Sequence, residues 1–432
     1  MKKYLLNIGV ILFDRIAMLI FQIWMASYYV QTLGISNYGQ WSYTLNIITI
    51  IISIFIFGID VLIIKDIVND KNKTGEYLYS GIVIQLVGFI LVTVTTLIFF
   101  YDSNIVIQYS MFSILIANLF IILAKPFYWN YSALVESKYR TISIIVSFVI
   151  FIPITIVYLK MIDSKEYILF VYSIYYFIQY IISWFVNKFL FKSTAIFMMN
   201  RNKLKEYSKV GLSLILSTLS VMIFTQTDVL MIKYFIGNAA TGEFSAATRL
   251  STSIFIIAGI LANTFYPKII KLNNDDKLKF IKIAITTVSL ICIVGSLVTV
   301  LIAPYLTNML YGDHENISLV LSWHIWCSLF IFSGAFTSRY LYANELYKVE
   351  IVKTVLAAIV NIGLNLYTIP TFGVIGAVWS SFIAYMIANY FFLYIFKESR
   401  ILFNIQTKSY FLMLNPTKYI KELKDIKCLF QL

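Results

Sequence analysis

Four ionisable residues stand where the surrounding sequence is almost wholly apolar: Asp14, Arg15, Asp228 and Arg249. A charge inside a bilayer costs a few kcal/mol, so it marks either a pathway or a pair. Asp14 and Arg15 fall about seven residues into the first apolar run, roughly 10–12 Å deep at 1.5 Å per residue. Asp228 precedes the outer end of the seventh run by about eight residues, and Arg249 follows the start of the eighth by about six to nine, which sets both roughly 9–14 Å deep on antiparallel neighbours. Two chemistries fit. Asp14 or another acid could bridge Arg15, and Asp228 could bridge Arg249; such pairs would orient helices and bind nothing. Alternatively the residues line an amphiphilic cavity. There a planar guanidinium grips phosphate oxygens bidentately, so Arg15 and Arg249 would attract a pyrophosphate. A carboxylate near the midplane, Asp14 or Asp228, would carry a proton and couple transport to its gradient. Asp60, Glu243, Glu136, Arg339 and Lys353 lie nearer the ends of apolar runs and suit gate or interfacial roles, and Lys233 could snorkel outward.

These residues need helices in lipid to position them. Of 432 residues, 60% are hydrophobic and 13% charged, and mean hydropathy is +0.82. A soluble domain carries about a quarter charged residues. So little charge cannot cover a water-soluble fold. The 17% aromatic content suits interfacial belts, lipid contact and a stacked sugar. A membrane helix needs roughly 20 apolar residues. The sequence predicts twelve spans, near 8–30, 40–63, 78–100, 105–124, 141–158, 167–187, 210–235, 243–265, 280–302, 317–338, 350–368 and 373–396. Met1-Lys2-Lys3 resembles the charged start of a signal peptide, but the apolar run that follows is too long and lacks a small-x-small site, so an uncleaved first helix is expected.

Lysine and arginine set the direction. With the N-terminus in the cytosol, twenty-nine of the 34 fall in inner segments and three (Lys160, Lys165 and Lys233) outside, while Arg15 and Arg249 lie within spans. This bias predicts an even number of spans with both termini in the cytosol. It also accounts for the net charge of +13 without nucleic acid. Outer loops are too short for an extramembrane domain. The expected organisation is a six-helix bundle over 1–187, a basic cytoplasmic linker at 188–209, a second six-helix bundle over 210–396 and a basic cytoplasmic tail at 397–432. That tail either lies on the anionic leaflet or is partly disordered. Cys292, Cys327 and Cys428 show no disulfide or metal spacing and read as reduced thiols. His314 and His324 have no partner motif, and no cofactor or metal is expected.

The halves carry a repeat. The turn from Leu33 reads Gly34-Ile35-Ser36-Asn37-Tyr38-Gly39-Gln40-Trp41-Ser42, and the turn from Ile236 reads Gly237-Asn238-Ala239-Ala240-Thr241-Gly242-Glu243-Phe244-Ser245. Both are G-x4-G-x-aromatic-Ser, at a constant offset. Each glycine can supply the positive φ of a tight hairpin, and the aromatic and serine would open the next helix. Six spans plus six preserve the direction of insertion, so the repeats should be parallel, related by an axis along the membrane normal. Pro153, Pro304 and Pro370 mark helix ends or kinks, and Gly373-Val374-Ile375-Gly376-Ala377 has the small-residue spacing of close helix packing.

Three stretches together resemble a known family. They are Leu33-Gly34 through Tyr38-Gly39 with Gly58-Ile59-Asp60; Thr227-Asp228-Val229-Leu230 through Gly237 and on from Gly242-Glu243-Phe244-Ser245-Ala246-Ala247-Thr248-Arg249-Leu250; and Ile369-Pro370-Thr371-Phe372-Gly373-Val374-Ile375-Gly376-Ala377. In order and spacing the chain resembles the bacterial O-antigen and capsule repeat-unit flippases (Wzx-type polysaccharide transporters), of the superfamily that includes the multidrug-and-toxin exporters. The resemblance implies an all-α integral membrane protein of the inner membrane, with two six-helix bundles in a V that open alternately to either side. It implies a transporter, not an enzyme. The substrate would be an undecaprenyl-pyrophosphate-linked oligosaccharide, moved from the cytosolic to the periplasmic leaflet, its lipid tail following a groove while the head group crosses a cationic cavity. Arg15 and Arg249 match that cavity. Implied partners are membrane lipids, a polysaccharide polymerase and a chain-length regulator, and a monomer suffices because two bundles complete the pathway.

Rival readings remain. A small-molecule exporter of the multidrug-and-toxin class would share the fold but favours acidic, aromatic cavities. The lipid II flippase has a related core, but its relatives are usually longer by two C-terminal spans. A membrane polymerase or ligase of the same pathway needs a long catalytic outer loop. The outer ionisable groups, chiefly Asp102, Lys160, Asp163, Lys165, Glu166, Asp313, His314 and Glu315, form no paired-carboxylate or metal motif.

Overall fold

A computed structural model describes residues 2–56, 58–161, 164–192 and 198–430, with backbone only at 2–8, 10–12, 213–214, 216–218, 220–221, 267–268 and 425–430. Asp163 lies outside the described residues, as does the side chain of Cys428. The chain divides into two compact units, Met1–Gln226 and Thr227–Leu432. The first contains α1 (Lys2–Leu33), α2 (Ile35–Phe55), α3 (Asp60–Asn69), α4 (Thr74–Phe99), α5 (Ile105–Ala133), α6 (Lys138–Met161), α7 (Val171–Phe185) and the start of α8 (Arg201–Phe235). The second contains the end of α8, then α9 (Asn238–Lys271), α10 (Asn274–Tyr311), α11 (Glu315–His324), α12 (Ser328–Ala343), α13 (Tyr347–Phe372), α14 (Val374–Met386), α15 (Phe392–Ile395), α16 (Arg400–Met413) and α17 (Pro416–Phe430).

Among the described residues, ten helices are long and apolar enough to cross a membrane, or eleven if α2 and α3, bent by 47°, form one broken span. The count differs from twelve for two reasons. The expected span 40–63 is that bent pair. The expected span 210–235 falls in α8, where part of the side chains lies outside the described residues. Several helices also overrun their expected spans. The 34 and 38 residues of α9 and α10 reach about 50–57 Å, well past a hydrocarbon layer of roughly 30 Å. What reads as an inner connection around Lys271 and Lys277 is therefore mostly helix, broken by a short turn where Asn273 caps α10 by accepting from the Asp276 amide at 2.9 Å.

The repeated turn is built alike in both units. Gly34 (φ +81°) and Gly237 (φ +123°) take the conformation L side chains avoid. The next helix starts immediately after each, so Gly39 and Gly242 are helical, and Trp41 and Phe244 are buried in the second turn rather than opening the helix. Close packing at the late glycines is also clear: a Cβ on Gly376 would come within 2.1 Å of the Thr368 carbonyl oxygen, holding α14 directly against α13.

Described parts of the basic connection and the tail pack on the units they adjoin. In the first unit, Tyr207 is buried and donates to Asp66 of α3 at 2.8 Å, beside Lys203, which is also 2.8 Å from Asp66. The start of α8 is thus tied to α3. In the second unit, α16 buries Leu402, Ile405 and Leu412 in the same core as Ile283 and Ile285 of α10. On α17, Glu422 pairs with Lys282 of α10 and Tyr419 meets Thr287 at 2.8 Å.

Candidate functional site

The first unit holds a cavity of about 370 Å³ lined by Met18 of α1, Asp60, Lys125, Tyr128, Trp129, Arg140, Gln179 and Tyr180, among others. Lys125 and Arg140 both read as cytosolic in the sequence, at the edges of a connection expected over 125–140. The structure places both on helices rather than in a loop. Helix α5 continues through Pro126 to Ala133, placing Lys125 inside it, and Arg140 lies in the first turn of α6. Pro126 lacks the N–H that would close the helical bond to the carbonyl four residues back, which loosens α5 beside Lys125.

Each cation meets a carboxylate from another helix. Lys125 Nζ lies 3.5 Å from Asp60 Oδ1, and Trp129 Nε1 donates to the same oxygen at 2.7 Å. Arg140 Nε lies 3.1 Å from Asp14 Oδ2. The Arg140 guanidinium also sits 4.9 Å from the centre of the Tyr128 ring, whose hydroxyl is 2.9 Å from Ser183 Oγ. Asp14 is buried, and its Oδ1 has no hydrogen-bond partner among the described residues. The expected Asp14–Arg15 bridge is not formed. Consecutive residues point about 100° apart on a helix and cannot face each other. Asp14 turns inward to Arg140, and Arg15 is exposed. Gln179 and Tyr180 come from α7 and add polar and aromatic wall. The result is a chamber lined by two cations, the Asp60 carboxylate and aromatic surface, with Asp14 paired to Arg140 behind the wall.

The second unit holds Asp228 in a different setting. The carboxylate is buried on α8. Its Oδ1 accepts from Asn361 Nδ2 at 3.1 Å and Asn365 Nδ2 at 2.6 Å, and its Oδ2 accepts from Ser381 Oγ at 2.5 Å. The two amides are one turn apart on α13 and the hydroxyl comes from α14. Asn365 Oδ1 is buried and has no partner among the described residues. The expected Asp228–Arg249 bridge is not formed. Arg249, on α9, is half-buried and joins no ion pair among the described residues. Asn361 and Asn365 escape a search for charges. The pattern Asn361-Ile362-Gly363-Leu364-Asn365 in an apolar run carries the missing signal, since residues four apart share a helix face.

The remaining expected residues lie elsewhere. Glu243 accepts from Asn316 at 3.1 Å near an exposed surface. Arg339 donates to Asn263 at 2.9 Å between the rings of Tyr266 and Tyr342. Lys353 is buried and paired with Glu350 at 2.8 Å. Glu136 pairs with Lys138 at 3.0 Å. Cys292 and Cys327 are buried free thiols. No group of three His, Cys, Asp or Glu fit to hold a metal occurs among the described residues.

Long apolar helices in two units, each with buried carboxylate, define a multi-pass, all-helical membrane protein, and its relatives name its class of fold. The lipid II flippase MurJ in an inward closed conformation superposes with a TM-score of 0.67 at 16% identity, over 97% of this chain and 95% of that one. A multidrug resistance MATE family transporter of the MOP superfamily, inward-facing, gives 0.67 at 17% identity over 89% and 94%. At these identities the likeness is one of fold. Residues 4–273 match the model of the polysaccharide biosynthesis protein family, and the chain belongs to that family, in agreement with the resemblance carried by its motifs. A protein of Escherichia coli (strain K12) to which O-antigen transport is provisionally assigned is 24% identical over 309 residues, 68% of this chain and 72% of the relative. Family and fold together support a transporter role.

Proposed function

We propose that the protein is a flippase that carries undecaprenyl-pyrophosphate-linked oligosaccharide repeat units, of an O-antigen or capsule, from the cytosolic to the periplasmic leaflet by alternating access. The observation that carries this reading is the paired-charge chamber of the first unit. Lys125 and Arg140 each hold a carboxylate that a diphosphate could replace. Guanidinium and ammonium groups together match a diphosphate, and the rings of Tyr128, Trp129 and Tyr180 offer faces on which sugars stack. In this reading Arg15 and Arg249 are secondary phosphate contacts, and Asp60 and Asp14 keep the empty chamber neutral. Asp228 carries the coupling ion, since a buried carboxylate with only neutral partners must take either a proton or a cation to be neutral. The excess of lysine and arginine in inner segments favours cytosolic termini, and the polymerase and chain-length regulator would act on the product.

A deletion strain tests this. Lipid-linked oligosaccharide would be extracted and its leaflet probed. Completed repeat units that accumulate on the cytosolic side and are cleared by the wild-type gene are the expected result. Single units that reach the periplasm and remain unpolymerised would instead place the protein among the polymerising enzymes.

A further inference from the structure

The second unit has an apolar groove that the transport reading does not use. It has a volume of about 530 Å³ and is lined by Ile387, Phe391, Phe392, Tyr394, Ile395 and Phe403. Its shape comes from two local features. Residues Ile387–Phe391 form a π-helical turn between α14 and α15, which widens the helix there. The chain then folds back sharply at Phe396–Ser399, where the buried Ser399 hydroxyl donates to the Leu393 carbonyl at 2.9 Å. That reversal brings Phe403 of α16 to 5.3 Å from the Tyr394 ring and 4.8 Å from Tyr390. Phe391, Tyr394 and Ile395 remain exposed, so the groove is open on one side.

A cation is fixed at its rim. Arg400 Nε donates to the Tyr394 carbonyl at 3.1 Å, and the guanidinium lies 4.8 Å from the centre of the Tyr394 ring. Both contacts hold the group in place, and its two terminal nitrogens make no hydrogen bond or ion pair among the described residues. A guanidinium with that edge free presents parallel donors to a phosphate. Lys397 and Glu398 are the other charged residues of the reversal and both are exposed, so the rim keeps one net positive charge. The groove ends where the apolar span Val374–Ile395 ends, which is the depth at which lipid headgroups lie.

We infer that this groove is a binding site for one anionic glycerophospholipid, an acyl chain lying along Phe391, Tyr394, Ile395 and Phe403 with its phosphate on Arg400. One net positive charge matches a phosphodiester of single negative charge. The diphosphate of the transported substrate would call for more cations than the rim supplies. The bound lipid would seal α15 to α16 and fasten the C-terminal helices to the bilayer.

Native mass spectrometry of the full-length protein in detergent tests the assignment. Phosphatidylglycerol, phosphatidylcholine and a polyisoprenyl phosphate would be added separately and in competition. Phosphatidylglycerol adducts should exceed phosphatidylcholine adducts by about fivefold, the worth of one cation beside an anionic headgroup. Arg400→Gln should remove that preference, and Lys408→Gln should keep it. Phe403→Trp, which fills the groove, should lower adducts of both phospholipids, while melting in lipid-free detergent reports that each variant is folded. Equal retention of phosphatidylglycerol and phosphatidylcholine, an unchanged preference in Arg400→Gln, or displacement of phosphatidylglycerol by the polyisoprenyl phosphate would each overturn the inference.

Discussion

The two units handle their carboxylates in opposite ways. In the first, Asp14 and Asp60 face Arg140 and Lys125 beside an open chamber. In the second, Asp228 is enclosed by two amides and a hydroxyl and meets no cation among the described residues. A carboxylate held by a side-chain cation can be exchanged for another anion, because the cation remains to receive it. A carboxylate held by neutral donors can only change its own charge, by taking up or releasing a proton or a cation. The first arrangement suits an anionic head group and the second a coupling ion. In the proposed reading, division of labour between units follows from the partners of three acids rather than from the acids themselves.

Substitutions can break or sharpen this contrast. The largest effect is expected at Arg140. Arg140→Ala leaves Asp14 buried without its cation, which should cost about 3 kcal/mol of stability and abolish clearance of lipid-linked oligosaccharide. Adding Asp14→Asn should recover most of the stability in detergent melts but not the transport. If the double variant transports as well as the wild type, the pair is only structural.

Asp228→Ala comes next. It leaves the amides of Asn361 and Asn365 and the Ser381 hydroxyl without their acceptor, a cost of about 1–3 kcal/mol. Asp228→Asn keeps the volume and removes the charge, so it should stop ion-driven accumulation while downhill exchange of substrate persists. Loss of both modes together would move Asp228 out of the coupling role.

Lys125→Met should separate stability from function more cleanly. Asp60 is well exposed to solvent, so losing this ion pair should change stability by less than about 1 kcal/mol. Transport should still fall about tenfold, equivalent to one lost charge-assisted contact, and Lys125→Arg should restore it. The smallest structural effect is expected at Arg249, which joins no ion pair among the described residues. Arg249→Gln should leave melting within about 0.5 kcal/mol of wild type. A fall in transport without a change in melting would assign it to the substrate.

The same contrast explains what could be read from the sequence. Apolar runs fixed most helices, since long stretches without charge have no alternative in lipid. The turns at Gly34 and Gly237 were legible because their φ values exclude most side chains. The site was legible only as acids. Asp14 and Asp228 stand out in apolar context, but their partners do not. Lys125 and Arg140 look like ordinary basic residues flanking a loop, and only the extension of α5 past Pro126 and the start of α6 at Lys138 put them on helices that line the chamber. Asn361, Asn365 and Ser381 carry no charge, so a scan for charge at depth passes over them. The docking of α16 on α10 depends on contacts far apart in sequence, which no local pattern records.

The central claim is that the charged chamber of the first unit moves a diphosphate-linked glycan across the bilayer. The most direct measurement is flipping in proteoliposomes of the purified full chain, with a fluorescent undecaprenyl-pyrophosphate-linked oligosaccharide whose outer-leaflet share is read by a membrane-impermeant quencher. Wild-type protein should equilibrate the glycan between leaflets, and Lys125→Met with Arg140→Gln should hold it where it starts. Equal flipping by the wild type and that double variant, or none by the wild type under an imposed ion gradient, would contradict the account.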